Sequence, residues 1–292
     1  MSRLRAIQCN PTNLLNTAKM LYKSKGEQTI VVEGKTDMYF LQQWRQPGSK
    51  IRFDGLDGKT LVEKVYHASK QPPYSDQQFL YFFADVDFDE ISGTPLIDDP
   101  RFIYNAYCAN KSLVEYNDLE AFLVNNGALE KLLINHGIDP SSAPEIKRKL
   151  ETASRYFGSL RAADIVLGKK NKLSLSILNS FDIEPFFDAK QFVVNQKSFE
   201  AQLPYWTNYK HYVDDLLEEA EKINAANSKP WALSRGHDVT EMLALHLVEV
   251  GSKGMRAEKV ELMLRLACEL ATFKASPMGR KLTSECPSFI PD

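Results

Sequence analysis

The sequence predicts an α/β fold for the first part of the chain and a mainly helical second part. Three observations carry this. The run T-I-V-V-E over 29–33 is continuously apolar, ends on Glu33-Gly34 and passes into a helical pattern (Met38, Leu41, Trp44), as a buried parallel strand turning into a helix does. The run F-L-Y-F-F-A over 79–84 has the same character, is bounded upstream by Pro72-Pro73 and ends on Asp85. Beyond residue 125 the apolar spacing is helical almost throughout.

Between the two apolar runs, a short strand at 50–54, a turn at 55–58 and a helix at 60–69 complete a strand-helix-strand-helix-strand order. Right-handed crossovers in such a unit bring the carboxyl ends of all parallel strands to one edge, where open α/β sheets bind ligands. Glu33 and Asp85 are therefore expected to be neighbours. Asp85 and Asp87 have strand period and would project to one side if strand geometry persists to its end. Further on, the spacing predicts helices over 117–124, 129–135, 143–157, 160–178, 209–224, 239–250 and 256–273, with a short strand at 192–194. The turn signal Asn125-Asn126-Gly127 places the domain cut, giving residues 1–125 as the α/β domain and 126–292 as the helical one. The tail from Pro277, with Pro287 and Pro291, reads as irregular and as a docking segment.

Carboxylates gathered at one sheet edge repel one another and raise each other's pKa, so a hard divalent cation is their natural partner. Mg²⁺ or Mn²⁺ held by Glu33, Asp85 and Asp87 would keep positions open for water and substrate phosphate oxygens. Asp37, four residues after Glu33 on the first helical turn, could face the same cleft and makes a second ion conceivable. Lys59, after the second strand, sits where an ammonium could stabilise charge developing on phosphorus, or is simply a solvated lysine at a helix start. An EF-hand reading of D-V-D-F-D fails, because the sixth loop position is Glu90 and the twelfth is Leu96. Gly34-Lys35-Thr36 and Gly58-Lys59-Thr60 look like P-loop tails, but Thr29 and Phe53 stand where the first glycine is required. Nucleotide hydrolysis by this chain is not expected.

Chain-level quantities fit a large buried core: 292 residues, 43% hydrophobic, 25% charged, net charge −2. Cys9, Cys108, Cys268 and Cys286 lack C-x-x-C spacing, so neither a zinc ribbon nor a disulfide framework is indicated. The start M-S-R-L-R-A-I-Q-C-N has no signal-peptide apolar region and no run reaches membrane-span length, which makes the cytoplasm the expected location. Between Lys147 and Lys172, eight basic residues (Lys147, Arg148, Lys149, Arg155, Arg161, Lys169, Lys170, Lys172) stand against Glu151 and Asp164. They suit phosphate neutralisation or an ordinary solvated helix face. The acidic stretch at 213–221 should avoid nucleic acid and suits a basic partner.

E-G-x-x-D after the first strand and D-x-D after a later one resemble the TOPRIM domain, the metal-binding module of topoisomerases, primases, recombination proteins and OLD-family nucleases. S-L-V-E-Y-N-D-L-E-A-F-L over 112–123, Gly58-Lys59 and Arg235-Gly236-His237-Asp238 further resemble the TOPRIM proteins grouped as the DUF4435 family. The match covers motifs through about residue 125 plus the Gly-His-Asp element. It implies a metal-dependent nuclease of the kind that serves as toxic effector in the PARIS anti-phage system, cutting RNA, tRNA in particular, when an ABC-type ATPase partner releases it. It also implies Glu120 as a ligand or base, whereas the helix dipole alone would favour an acid there. His237 would contact the scissile phosphate or serve a structural role, and Asp238 would cap the following helix. A homodimer is plausible for such nucleases. An OLD-like DNA nuclease with the same metal site, and a non-catalytic subunit that docks on a sensor ATPase, remain the alternatives.

Overall fold

A computed structural model of the chain describes residues 9–75, 78–105 and 116–289. Residues 112–115 of the DUF4435-like segment lie outside the described residues. The chain divides into two compact units, Met1–Asp85 with Ile97–Lys111 and Leu270–Asp292, and Val86–Leu96 with Ser112–Glu269. The division does not fall at 125–128. The turn there joins two helices of one unit, and the chain leaves the first unit at Asp85, returns for 97–111 and comes back once more at its end.

The first unit is α/β. Helix α1 (Pro11–Lys25) precedes β1 (Gln28–Val32), α2 (Lys35–Gln42), β2 (Ile51–Gly55), α3 (Lys59–Ser69), β3 (Leu80–Ala84) and β4 (Phe102–Tyr104). The four strands form one parallel sheet in the order β2-β1-β3-β4. β3 is buried along its whole length, which is why its sequence is an unbroken apolar run rather than an alternating one. Ile30, Val32, Phe82, Phe83 and Phe102 have no exposed surface, and each contributes roughly 1.5–3 kcal/mol by leaving water. Phe82 stacks on Phe102, and Tyr66 of α3 meets both edge-on.

Two elements absent from the sequence reading belong here. Helix α1 starts at the cap Asn10, whose side chain accepts from the Asn13 N–H, has Pro11 at its first turn and stops at left-handed Gly26. β4 is only three residues long, too short for a periodicity to register. Of the tail from Pro277, residues 277–285 are helical and 286–289 are irregular, and Pro291 lies outside the described residues. Leu270–Ala275 and Pro277–Glu285 are helical, the second started by Ser276, which accepts from the Gly279 N–H, with Pro277 at its first position. Phe273 packs on Phe40 and Trp44 of α2, and Lys281 donates to the Phe102 carbonyl at 2.8 Å, so this segment completes the α/β unit.

The second unit is mainly helical: α4 (Leu119–Val124), α5 (Ala128–Asn135), α6 (Ala143–Asn171), α7 (Gln196–Trp206), α8 (Val213–Ala226), α9 (Gly236–Glu249) and α10 (Ala257–Ala267), with a two-stranded antiparallel pair, Phe187–Asp188 and Val193–Val194. The two helices expected at 143–157 and 160–178 are one helix of 29 residues ending at Asn171. Gly158 lies inside it because the helix passes so close to Leu233 that an ideal Cβ would stand 1.4 Å from the Leu233 carbonyl oxygen. The helix stops where Asp164 turns back the following segment, accepting from the Ile177 N–H at 2.6 Å, from the Leu178 N–H and from the Ser176 hydroxyl. The expected helix at 256–273 breaks at Cys268, which is extended. Among the described residues, no helix is long and apolar enough to cross a membrane.

Candidate functional site

In the α/β unit the parallel register pairs Val32 with Phe83, so β1 and β3 deliver Glu33 and Asp85 to the same sheet edge. The Asp85 N–H donates to Glu33 Oε1 at 2.8 Å, joining residues 52 positions apart in sequence. Glu33 is held from its own side as well: the Leu56 N–H donates to the Val32 carbonyl at 3.0 Å and the Gly58 N–H to the Glu33 carbonyl at 2.9 Å. That second bond puts the start of α3, with Lys59 as its first residue, beside Glu33. The turn demands its glycine: Gly55 has φ +97, and a Cβ there would lie 2.6 Å from the Val32 carbonyl oxygen. Lys59 Nζ lies 6.0 Å from the centre of the Tyr104 ring.

Asp37 is buried on the first turn of α2, and its Oδ2 accepts from the Gly34 N–H at 3.0 Å. It thereby satisfies a backbone donor beside the first helical turn.

The helical unit holds the other acidic candidates. Asp87 does not extend β3: the strand ends at Ala84, and Asp87 has left-handed backbone, φ +51, with its N–H donating to the Asn117 carbonyl at 2.7 Å. Asp85 and Asp87 therefore do not share one face of an extended strand. Asn117 is buried and donates its amide to the carbonyls of Ala232 and Ser234, both at 2.8 Å. Next to it Asp118 caps α4, its Oδ1 accepting from the Ala121 N–H at 2.9 Å and its Oδ2 from the Gly236 N–H at 2.5 Å. Glu120, on the first turn of α4, is 5% exposed. A Cβ on Gly236 would lie 2.3 Å from Asp118 Oδ1 and 2.5 Å from the Glu120 Cβ. Only glycine allows the Arg235–Asp238 turn to close on the start of α4, which brings His237 next to Glu120.

Burial pushes the Asp118 carboxyl up to about 6, and the Asp87 charge adds to that, against the two N–H bonds it accepts. His237 Nδ1 lies 2.8 Å from Glu261 Oε1, and this bond, reinforced by the negative charges of Glu120 and Glu261, raises the imidazole to about 9. Glu261 is itself buried and also accepts from the Thr240 hydroxyl at 3.2 Å. His237 leaves 55% of its side chain exposed and is thus a half-exposed imidazolium at neutral pH, oriented by a buried carboxylate. Asp238 is not a helix cap. It lies on the first turn of α9, almost wholly buried, and receives Arg161 Nε at 2.8 Å and Nη2 at 2.9 Å, with Arg235 at 3.7 Å.

No protein-family model matches this chain, and no curated protein matches it.

The carboxylates above are hard oxygen donors suited to Mg²⁺ or Mn²⁺. Among the described residues, no three or more His, Cys, Asp or Glu side chains are gathered closely enough to hold a metal ion by themselves. Mg²⁺ needs only one or two protein carboxylates beside water and phosphate oxygens. Glu33 and Asp85, at adjacent strand ends, are the pair whose placement fits.

The basic stretch at 147–172 lies on α6, and most of it is committed within the helical unit. Lys147 pairs with Glu130 at 2.9 Å, Arg148 and Lys149 with Glu145 at 2.7 and 3.6 Å, and Arg155 with Glu151 at 2.9 Å. Arg155 also donates to the carbonyls of Asn227 and Lys229. Lys169 donates to the Ser92 and Thr94 hydroxyls. Lys170, in the last turn, is exposed, where a cation complements the helix dipole. Glu261, 24 positions beyond its histidine, carried no sequence signal.

Glu241 of α9 gives a pH test of this packing. Burial, and then the charges of Asp182 and Asp238, push it up to about 7 from an ordinary 4.5. The folded state therefore prefers the protonated acid, so this stabilisation is complete below about pH 4.5 and is lost as pH rises through about 7. Glu241→Gln is expected to raise the melting temperature at about pH 8 and leave it unchanged at about pH 4. Thermal melts at both pH values check this, and an equal shift at both would refute the burial argument.

Proposed function

We propose that this chain is a Mg²⁺- or Mn²⁺-dependent phosphodiesterase that cleaves RNA, tRNA in particular, through a TOPRIM-like site. By resemblance to the DUF4435 family it would be a toxic effector of anti-phage defence, restrained by an ABC-type ATPase until infection is sensed. A nuclease of this kind at liberty would kill its host, so restraint by a partner is part of the reading. The observation that supports it most is the Asp85 N–H bond to the Glu33 carboxylate, which fits Glu33 of E-G-x-x-D and Asp85 of D-x-D meeting at one sheet edge. Glu33 and Asp85 would hold the ion, with Asp37 of the same unit as a further candidate; Asp87 and Glu120 are candidates by resemblance alone. When bound, a divalent ion supplies charge neutralisation at the non-bridging phosphate oxygens.

The chain's own residues supply the rest. Lys59, at the start of a helix tied to Glu33, offers an ammonium to charge developing on the phosphoryl group. His237, held by Glu261, offers an N–H donor and positive charge to a phosphate oxygen. Asp118 and Gly236 keep Glu120 and His237 side by side.

The test is incubation of the purified protein with total tRNA and with plasmid DNA, each with and without Mg²⁺. Cleavage of tRNA that requires the ion is the expected result. Plasmid cleavage with tRNA left intact would transfer the reading to an OLD-like DNA nuclease, and cleavage of neither would overturn it.

A further inference from the structure

The cations that the sequence concentrates on α6 are largely committed to intramolecular pairs, whereas residues far less conspicuous in sequence form a basic groove in the α/β unit. It lies along β2, an edge strand of the sheet, and encloses about 500 Å³. Lys25, Arg45, Lys50 and Arg52 line it, with Glu27 the one acidic lining residue. Lys25 and Glu27 approach only to 4.0 Å, with the lysine 63% exposed, so that pair is weak. Arg52 is neutralised by Asp54 at 2.5 Å. Arg45 and Lys50 form no ion pair among the described residues. Arg45 is fixed by donating Nη1 to the Ile51 carbonyl at 2.9 Å, which leaves other N–H groups of its fork available. Lys50 extends across Gly26, where a Cβ would lie 3.6 Å from its Nζ.

We propose that this groove binds the sugar–phosphate backbone of a single-stranded RNA, anchoring substrate outside the catalytic edge. The identity of this polyanion rests on the nuclease reading above; the excess of positive charge and its anchoring do not. Guanidinium held in place by a backbone carbonyl loses little freedom on taking a phosphate, and a neighbouring flexible lysine adds a second charge. The groove opens at the start of β2, and β2 runs parallel to β1 toward the Glu33 edge. Four residue steps of about 3.3 Å put that edge roughly 13 Å away, a span that a strand of a few nucleotides covers. An acidic peptide would meet the same charges, but the lining offers it no apolar anchor beyond Met38, Ile51 and Phe53.

The experiment measures binding of a fluorescein-labelled single-stranded oligoribonucleotide to full-length Glu33→Ala protein, alone and combined with Lys25→Gln and Lys50→Gln, over a range of salt. Both lysines are exposed, so folding is not at issue, and a melting curve verifies it. Loss of two single-strand phosphate contacts should weaken binding about tenfold and lower the slope of log affinity against log salt by about 1.4. Unchanged affinity and slope would overturn the proposal, as would a poly-glutamate probe that binds through these lysines and is not displaced by RNA. Cleavage of the same oligonucleotide by protein with Glu33 intact is scored separately. Lysine-dependent binding without cleavage counts against the nuclease reading alone, and cleavage with lysine-independent binding counts against the groove alone.

Discussion

Glu33→Ala is expected to lower tRNA cleavage by at least about three orders of magnitude, roughly 4 kcal/mol of transition-state stabilisation, and to abolish toxicity in cells. Two consequences of the substitution must be separated, because Glu33 Oε1 also accepts the Asp85 N–H. Losing that acceptor costs about 1 kcal/mol of stability. Losing the negative charge removes the proposed metal donor. Glu33→Gln separates them: its amide oxygen can keep the bond to Asp85 while the charge is gone. Both variants should melt within a few degrees of the parent protein, and both should be inactive in a gel assay of tRNA cleavage. Full activity in Glu33→Gln would remove the carboxylate from the mechanism and leave Glu33 a structural residue that ties β1 to the end of β3.

Gly158→Ala is expected to be the most destabilising single methyl in the helical unit. The new Cβ would lie 1.4 Å from the Leu233 carbonyl oxygen and 2.6 Å from its carbon, both backbone atoms, so no side-chain rotation relieves the clash. The helix or the 232–236 turn must move. That contact is reinforced one helical turn earlier, where the Ser154 hydroxyl donates to the Ser234 hydroxyl at 2.7 Å, and the same turn is held by Asn117. Overpacking of this severity costs on the order of 3 kcal/mol, which lowers the melting temperature by roughly 6–12 °C in a unit of this size. Since that turn leads into Gly236 and His237, the proposed tRNA cleavage is expected to fall with it. Thermal melts followed by circular dichroism test this, and a variant as stable as the parent protein would mean that α6 and the turn do not meet as described.

The strand ends were legible because a strand buried on both faces has to be written as an unbroken apolar run, and the acid that interrupts each run marks the edge. The neighbourhood of Glu33 and Asp85 followed from reading the strands as parallel, with their carboxyl ends at one edge. What followed less well depended on contacts between residues distant in sequence. The break expected between 157 and 160 closes because the approach of Leu233 gives one continuous helix a reason to carry glycine at 158. Asp238 reads as a cap until Arg161, 77 positions away, claims both of its oxygens. The charge run at 147–172 reads as a phosphate-binding face until its partners, Glu130, Glu145 and Glu151, are brought alongside. The domain cut at 125–128 missed because a chain that leaves one unit and returns twice leaves no compositional mark at its crossings. Helix α1 went unpredicted although Asn10, Pro11 and Gly26 carry its start and stop signals.

The central claim is that carboxylates at the carboxyl edge of the parallel sheet bind a divalent ion for phosphodiester cleavage. Calorimetric titration of Mn²⁺ into the intact protein and into Glu33→Gln measures it without reference to substrate. Saturable binding by the parent protein that is lost in the variant is the predicted result; equal binding by both, or none by the parent protein, would contradict the account.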